Sequence, residues 1–154
     1  VGKMLFDTAA VLCAAERLPD FSFHIIGVDA PRTHPTNARF YGTLPFEETI
    51  GFIKFADIGL AAYFQTPGIR YLATSSLKLK QYAYCTLPVV VPDFATPPGP
   101  GFYSYTPSSG VSMAKAIVDA STEGERTMLD SRLCKPWPDI VENLVKLVSG
   151  SPAP

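Results

Sequence analysis

Residues 74 to 81 read Thr-Ser-Ser-Leu-Lys-Leu-Lys-Gln, and their polar members fall at spacings that suit phosphate chemistry. Ser75, Lys78 and Gln81 are three residues apart, which places them on one broad face of a helix. Backbone N–H groups in the first turn of a helix lack intrahelical acceptors and carry partial positive charge, so they suit an anion. Lys78 adds a point charge for a diphosphate. The hydroxyls of Ser75 and Ser76 add donors, and the Gln81 amide offers both donors and an acceptor for sugar hydroxyls. A plainer reading makes Thr74 or Ser75 only the N-cap, and Lys78 a solvated charge like Lys80. There is no Walker-type lysine loop and no Gly-x-Gly-x-x-Gly, which speaks against a nucleoside triphosphatase or a dinucleotide enzyme.

Other constellations carry less. Cys13, Cys85 and Cys134 are widely spaced in apolar contexts and read as buried free thiols of a reducing compartment. No Cys–Cys or Cys–His spacing suits zinc. His24 lies within an apolar run and His34 in a proline-flanked loop, so a histidine-based triad finds no support. With 154 residues, 47% hydrophobic and 18% charged, and a formal net charge of −1, the chain is long enough for one domain with a substantial core. That balance gives no electrostatic reason to expect nucleic acid. No apolar run approaches the roughly 20 residues of a membrane span. Asp7 and the amphipathic pattern after it argue against a signal peptide.

The elements that must position the polar helix follow from periodicity. Residues 4–18 read as a helix closed by Pro19, and 21–27 (FSFHIIG) as a strand ending at Gly27. A short strand at 38–42, a helix at 45–56 opened by Pro45 and two acids, and an apolar strand at 57–63 come next. The polar helix (75–85) leads to a strand at 87–92, LPVVVP. A short strand after Gly101 and helices at 109–121 and 137–148 complete the pattern. Alternation with continuous apolar strands implies an α/β, Rossmann-like, mostly parallel sheet flanked by helices. Such sheets bind ligands beyond the carboxyl ends of their strands. The end of strand 57–63 and the start of helix 75–85 therefore share a crevice.

VGKMLFD, FSFHIIG, YGTLPFEETIGFIKFADIGLAAY and SSLKLKQYAYCTLPVVVP occur in order, with a Trp-x-Asp at Trp137 and Asp139. Together they resemble the C-terminal, donor-binding domain of the xanthan-type (GumK-like) β-glucuronosyltransferases, inverting enzymes of the two-domain GT-B fold. The resemblance implies a donor domain over 1–150 with a tail at 151–154. It places the acceptor domain N-terminal to this chain, in keeping with a start at Val-Gly that reads as a cut between domains. Met4 would lie against the nucleotide base and Tyr63 would line the nucleotide site. Ser75, Ser76, Leu77 and Lys78 would surround the diphosphate, and Gln81 would hold donor hydroxyls. Each has a plainer role: Met4 and Leu77 as gap fillers, Tyr63 as an aromatic at a strand end.

Thr43, Thr74 and Leu77 depart from the family pattern, which has acids at the first two positions and Met at the third. Ala73 stands where retaining relatives carry an acid, so a retaining pair is not expected. The implied chemistry is attack of an acceptor hydroxyl on the anomeric carbon of a UDP-sugar, UDP-glucuronate by resemblance. Lys78 and the helix N-terminus would stabilise the leaving diphosphate. No Asp-x-Asp metal motif and no cofactor motif is present. The catalytic base is expected from the acceptor domain, which makes this chain a binder without turnover; Asp93 is the local alternative, since Asp57, Glu47 and Glu48 stand elsewhere. The acceptor would be a lipid-linked oligosaccharide for exopolysaccharide, met in the cytoplasm at the inner face of a bacterial plasma membrane. Two other classes compete: a non-catalytic nucleotide- or phosphate-binding Rossmann-like module, and an interaction domain whose polar helix face is only solvated.

Overall fold

A computed structural model of the chain describes residue 2, residues 4–122 and residues 137–148. The elements run α1 (Thr8–Arg17), β1 (Phe23–Ile25), β2 (Ala38–Phe40), α2 (Phe46–Phe55), β3 (Gly59–Leu60), α3 (Leu72–Ser75), α4 (Leu77–Tyr84), β4 (Val89–Pro92), β5 (Phe102–Tyr105), α5 (Gly110–Thr122) and α6 (Trp137–Val148). Single 3₁₀ turns precede α3 at Ile69–Tyr71 and follow β4 at Asp93–Ala95. Every strand pairing is parallel, as the alternating pattern requires: β1 with β2, and β3 with β4 with β5.

The run Val89-Val90-Val91 shows why the apolar strands are continuous rather than alternating. All three are fully buried. Val90 points into a core layer with Ala10, Val11 and Ala14 of α1 and Met113 and Ile117 of α5. Val89 and Val91 point to the opposite layer, among Leu79 and Ala83 of α4, Leu72 of α3 and Ile53 of α2. Successive side chains alternate faces, so a strand covered by helices on both sides must be apolar throughout. Each buried valine contributes about 1.5–3 kcal/mol relative to exposure.

α1 begins later than its periodicity suggests. Asp7 is its N-cap, accepting from the Ala10 N–H at 3.1 Å, and Leu5 stands at φ 55°, which a helix does not allow. Residues 4–7 therefore lie outside the helix. At its other end the Asn37 amide donates to the carbonyls of Ala15, Leu18 and Phe21, which ties the close of α1 to the start of β2. Small residues let α1 and α5 approach closely: a Cβ on Gly110 would stand 2.4 Å from Cys13 Cβ.

The expected helix 75–85 is broken. Ser76 has extended backbone (φ −66°, ψ 115°) and separates the four-residue α3 from α4. The expected strand 57–63 is reduced to Gly59–Leu60, and Tyr63 beyond it forms an isolated antiparallel bridge with Phe6. Cys13 and Cys85 are free but half-buried, less enclosed than expected, and Cys134 lies outside the described residues.

Candidate functional site

Gly2 and residues 4–7 lie across the carboxyl ends of β1 and β3 and, with the start of α4, border the candidate crevice. The Gly2 N–H donates to the Ile26 carbonyl at 2.8 Å, just past β1. Gly27, at φ +91°, packs so tightly against Gly2 that a Cβ on it would come within 3.0 Å of the Gly2 Cα. No other residue type permits that approach. On the far side, Asp7 N–H donates to the Ala62 carbonyl and Phe64 N–H to the Leu5 carbonyl. Gly2 thus meets the end of β1, and Leu5 and Asp7 meet the end of β3.

Lys78 rises into this crevice from the first turn of α4. Its Nζ stands 4.8 Å from the centroid of the Tyr63 ring, a cation–π arrangement, and its Cε lies 4.0 Å from where a Gly2 Cβ would be. Enclosure lowers the Lys78 ammonium from its usual 10.5 to about 8, because burial disfavours the charged form. No carboxylate pairs with it among the described residues. The Leu77 and Lys78 N–H groups beside it have no intrahelical acceptor. A half-covered cation next to such donors is incomplete without an anion.

Tyr63 and Ser76 form the wall. The Tyr63 ring is buried, and its hydroxyl shares a 2.7 Å hydrogen bond with Ser76 Oγ, which also accepts from Leu79 N–H at 3.4 Å. Ser76 is therefore the cap of α4, and the expectation of Thr74 or Ser75 in that role is corrected. Both of those hydroxyls donate instead to the Tyr71 carbonyl, Ser75 at 2.7 Å and Thr74 at 3.2 Å. Burial raises the Tyr63 hydroxyl above 10, partly offset by the Ser76 bond.

The structure thus brings Tyr63, Ser76 and Lys78 together. Ser75 belongs to α3, across the break, so it does not share a helical face with Lys78 and Gln81. Gln81 is half-buried one turn beyond Lys78. Met4 and Leu77 are exposed, at 58% and 68%, which removes the reading of either as a gap filler. Among the acids, Asp57 precedes β3 at the far end from the crevice, Glu47 and Glu48 sit in the first turn of α2, and Asp93 follows β4 at the crevice end.

Sequence reasoning missed the polar pair beneath the crevice. Asp7 is fully buried; Oδ1 caps α1, while Oδ2 has no hydrogen-bond partner among the described residues. The Tyr105 hydroxyl at the end of β5 is likewise without a partner, although it faces the Tyr63 backbone. Burial, then the Asp7 carboxylate, push it upward. An acid directly before Thr-Ala-Ala is a helix-start signal, so Asp7 was legible as a cap. Among the described residues no group of three or more His, Cys, Asp or Glu is placed to hold a metal ion. No described helix is long and apolar enough to cross a membrane.

Parallel strands covered on both faces, with a cation at a helix start beyond their carboxyl ends, define a Rossmann-like α/β domain with an anion-suited helix start. The chain is 36% identical over 148 residues to a UDP-glucuronate:glycolipid 2-beta-glucuronosyltransferase of Xanthomonas campestris pv. campestris. That match covers 94% of this chain and 36% of the relative, so the chain spans about a third of that protein's length. Over that stretch it is similar to a GumK-like β-glucuronosyltransferase. No protein-family model matches it.

Proposed function

We propose that this chain is the donor-binding domain of an inverting, metal-independent glycosyltransferase, and that its ligand is a UDP-sugar, UDP-glucuronate by relationship. The observation that carries this reading is Lys78: a half-covered ammonium, without a carboxylate partner among the described residues, at the start of α4 and at the carboxyl end of a parallel sheet. In this reading the diphosphate takes the place of the missing counter-ion. Tyr63 and Ser76 hold the wall against which Lys78 rests, Ser75 and Leu77 border the phosphates, Met4 meets the base and Gln81 the sugar.

As the bond from the anomeric carbon to the diphosphate breaks, negative charge grows on the leaving oxygen. Lys78 and the α4 N–H groups are already aimed there, so they favour the transition state over the bound donor. The base that takes the acceptor's proton is assigned to an N-terminal acceptor domain, outside this chain. The acceptor is a glycolipid, a lipid-linked oligosaccharide of exopolysaccharide synthesis, reached at the inner face of the plasma membrane.

Calorimetric titration of the 154-residue chain with UDP, GDP and UDP-sugars tests the reading. UDP binding that disappears in Lys78→Ala supports it. UDP binding equally well to wild type and Lys78→Ala would sink it, and sugar transfer by the 154-residue chain alone would overturn the assignment of the base.

A further inference from the structure

From Ile58 to Pro92 the sequence contains no Asp or Glu, although Arg70, Lys78 and Lys80 all fall within that stretch. The described lysines therefore meet different surroundings. Lys115 and Lys146 hold ordinary ion pairs on their own helices, to Asp119 at 3.1 Å and to Glu142 at 2.8 Å. Lys54 and Lys80 are exposed, with Lys54 over the Phe55 ring. Lys78 is half-covered in a crevice, against the Tyr63 ring at 4.8 Å, and no carboxylate reaches it among the described residues.

An ammonium keeps its proton through water or through an acid, and Lys78 has too little of either. The Tyr63 ring offers only its quadrupole. Its hydroxyl is engaged by Ser76 at 2.7 Å, and burial keeps it protonated. With the ammonium at about 8, roughly a tenth of the population is free amine at pH 7, against about one part in 3,000 at 10.5. A free amine in such a site is a nucleophile toward an activated carbonyl. The space beside it is open, since the nearest flank is Gly2, whose missing Cβ would lie 4.0 Å from Lys78 Cε. The adjoining Leu77 and Lys78 N–H groups have no intrahelical acceptor and suit a phosphate.

We propose, on the anion-binding reading of this crevice given above, that Lys78 is a modification site for small acyl phosphates. The phosphate docks on the α4 N–H groups, which brings the acyl carbon to Nζ. The Nζ lone pair attacks that carbon and a C–N bond forms. The C–O bond to the phosphate breaks, and inorganic phosphate leaves with the electron pair. Nitrogen sheds its proton to water, and nothing is oxidised or reduced. The resulting amide is neutral, so the crevice loses the charge that would meet a diphosphate. Acylation thereby switches donor binding off while the packed layers behind α4 stay as they are.

Acetyl phosphate added to the 154-residue chain near neutral pH, with peptide mass spectrometry over time, tests this. Lys78 should be acetylated about tenfold or more faster than Lys54, Lys80, Lys115 and Lys146. Inorganic phosphate should slow that site, and the Lys78→Arg chain should show only the slow ones. N-acetoxysuccinimide, an acyl donor without phosphate, should favour Lys78 less. Equal rates at these lysines overturn the proposal. So does an equal preference with both reagents, which would trace the selectivity to the amine alone and leave phosphate docking without a part. None of these readings uses UDP. Selective acetylation in a chain that does not bind UDP supports the modification site and overturns the donor assignment. UDP binding that disappears in Lys78→Ala, without selective acetylation, overturns the modification site alone.

Discussion

The half of the molecule built on β3, β4 and β5 and the half built on β1 and β2 share parallel pairing but differ in enclosure. β4 is buried at all four positions, whereas β1 exposes His24 and β2 exposes Arg39. α2 packs Ile53 against the β3–β5 half and Phe52 against His24 and Tyr41 of the other, and it leaves Phe46, Ile50 and Phe55 exposed, with Phe55 at 78%. The charge-bearing side chain, Lys78, stands on the enclosed half with Tyr63 and Ser76 as its wall. The glycine turns after β1 and β2, with Gly27 N–H bonded to the Gly42 carbonyl at 2.6 Å, belong to the other. Phosphate recognition needs a fixed charge, and a fixed charge needs dense surroundings; the softer half is free to vary its loops.

The strongest way to break that contrast is to overfill the enclosed half. Gly110→Val places its side chain into Cys13 and the Ala10 carbonyl, where even a Cβ would stand 2.4–2.8 Å from its neighbours. Two helices must then separate, and the expected loss is about 3 kcal/mol or more. Urea unfolding checks it: the midpoint falls with little change in slope. A loss under about 1 kcal/mol would show that α1 and α5 are not locked together.

Next in size is Lys78→Ala, which removes the ammonium and leaves the fold intact. A charge-assisted contact to phosphate is worth about 1.5–3 kcal/mol, so UDP affinity should drop by roughly 10- to 150-fold in calorimetry. Its pH dependence sharpens the point. With the ammonium at about 8, raising the pH from 7 to 9 removes most of its charge, and UDP affinity should fall about tenfold. Stability moves the opposite way. The unfolded chain holds this proton up to about 10.5, so between pH 8 and 10.5 the unfolded state binds more protons, and folding gains as pH rises. Lys78→Met should abolish both trends, read as the difference in unfolding midpoint and in UDP affinity across that window.

A smaller effect, of opposite sign, is expected at the base of the crevice. Tyr105→Phe deletes a buried hydroxyl that makes no close hydrogen bond among the described residues, reaches only the Tyr63 backbone, and stands near the Asp7 carboxylate. Relief of that desolvation should stabilise the chain by about 1 kcal/mol in urea unfolding. Destabilisation would mean that the hydroxyl and Asp7 Oδ2 share an interaction, such as an enclosed water, that the orphan reading leaves out.

How much of this was legible follows from what decides each feature. The strand at 89–92 was plain because Leu-Pro-Val-Val-Val-Pro is apolar on both faces, and only a covered central strand tolerates that. The parallel order followed from alternation. The cap was not legible, because Thr74, Ser75 and Ser76 are all competent caps in sequence. The choice falls to a contact thirteen residues away, Tyr63 with Ser76, and that contact also breaks the helix and removes Ser75 from the Lys78 face. Strand 57–63 was read too long because its later residues are just as apolar; Tyr63 instead pairs with Phe6, from a loop that read as helix. Lys78 was singled out as a candidate from its spacing to the helix start, which a one-residue shift of the cap leaves nearly unchanged.

The smallest expected effect lies in the open half and measures how open it is. Gly51 sits within α2, where glycine costs about 0.5–1 kcal/mol relative to alanine in backbone freedom. A Cβ there meets nothing within 4 Å, so Gly51→Ala should stabilise the chain by about that amount, the reverse of the result at Gly110. The two substitutions add one kind of atom to one kind of residue, each within a helix. Opposite signs in the same urea titration would show that enclosure alone separates the halves. A loss at both sites would mean that the space beside α2 is filled in solution, and the two halves would then be equally dense.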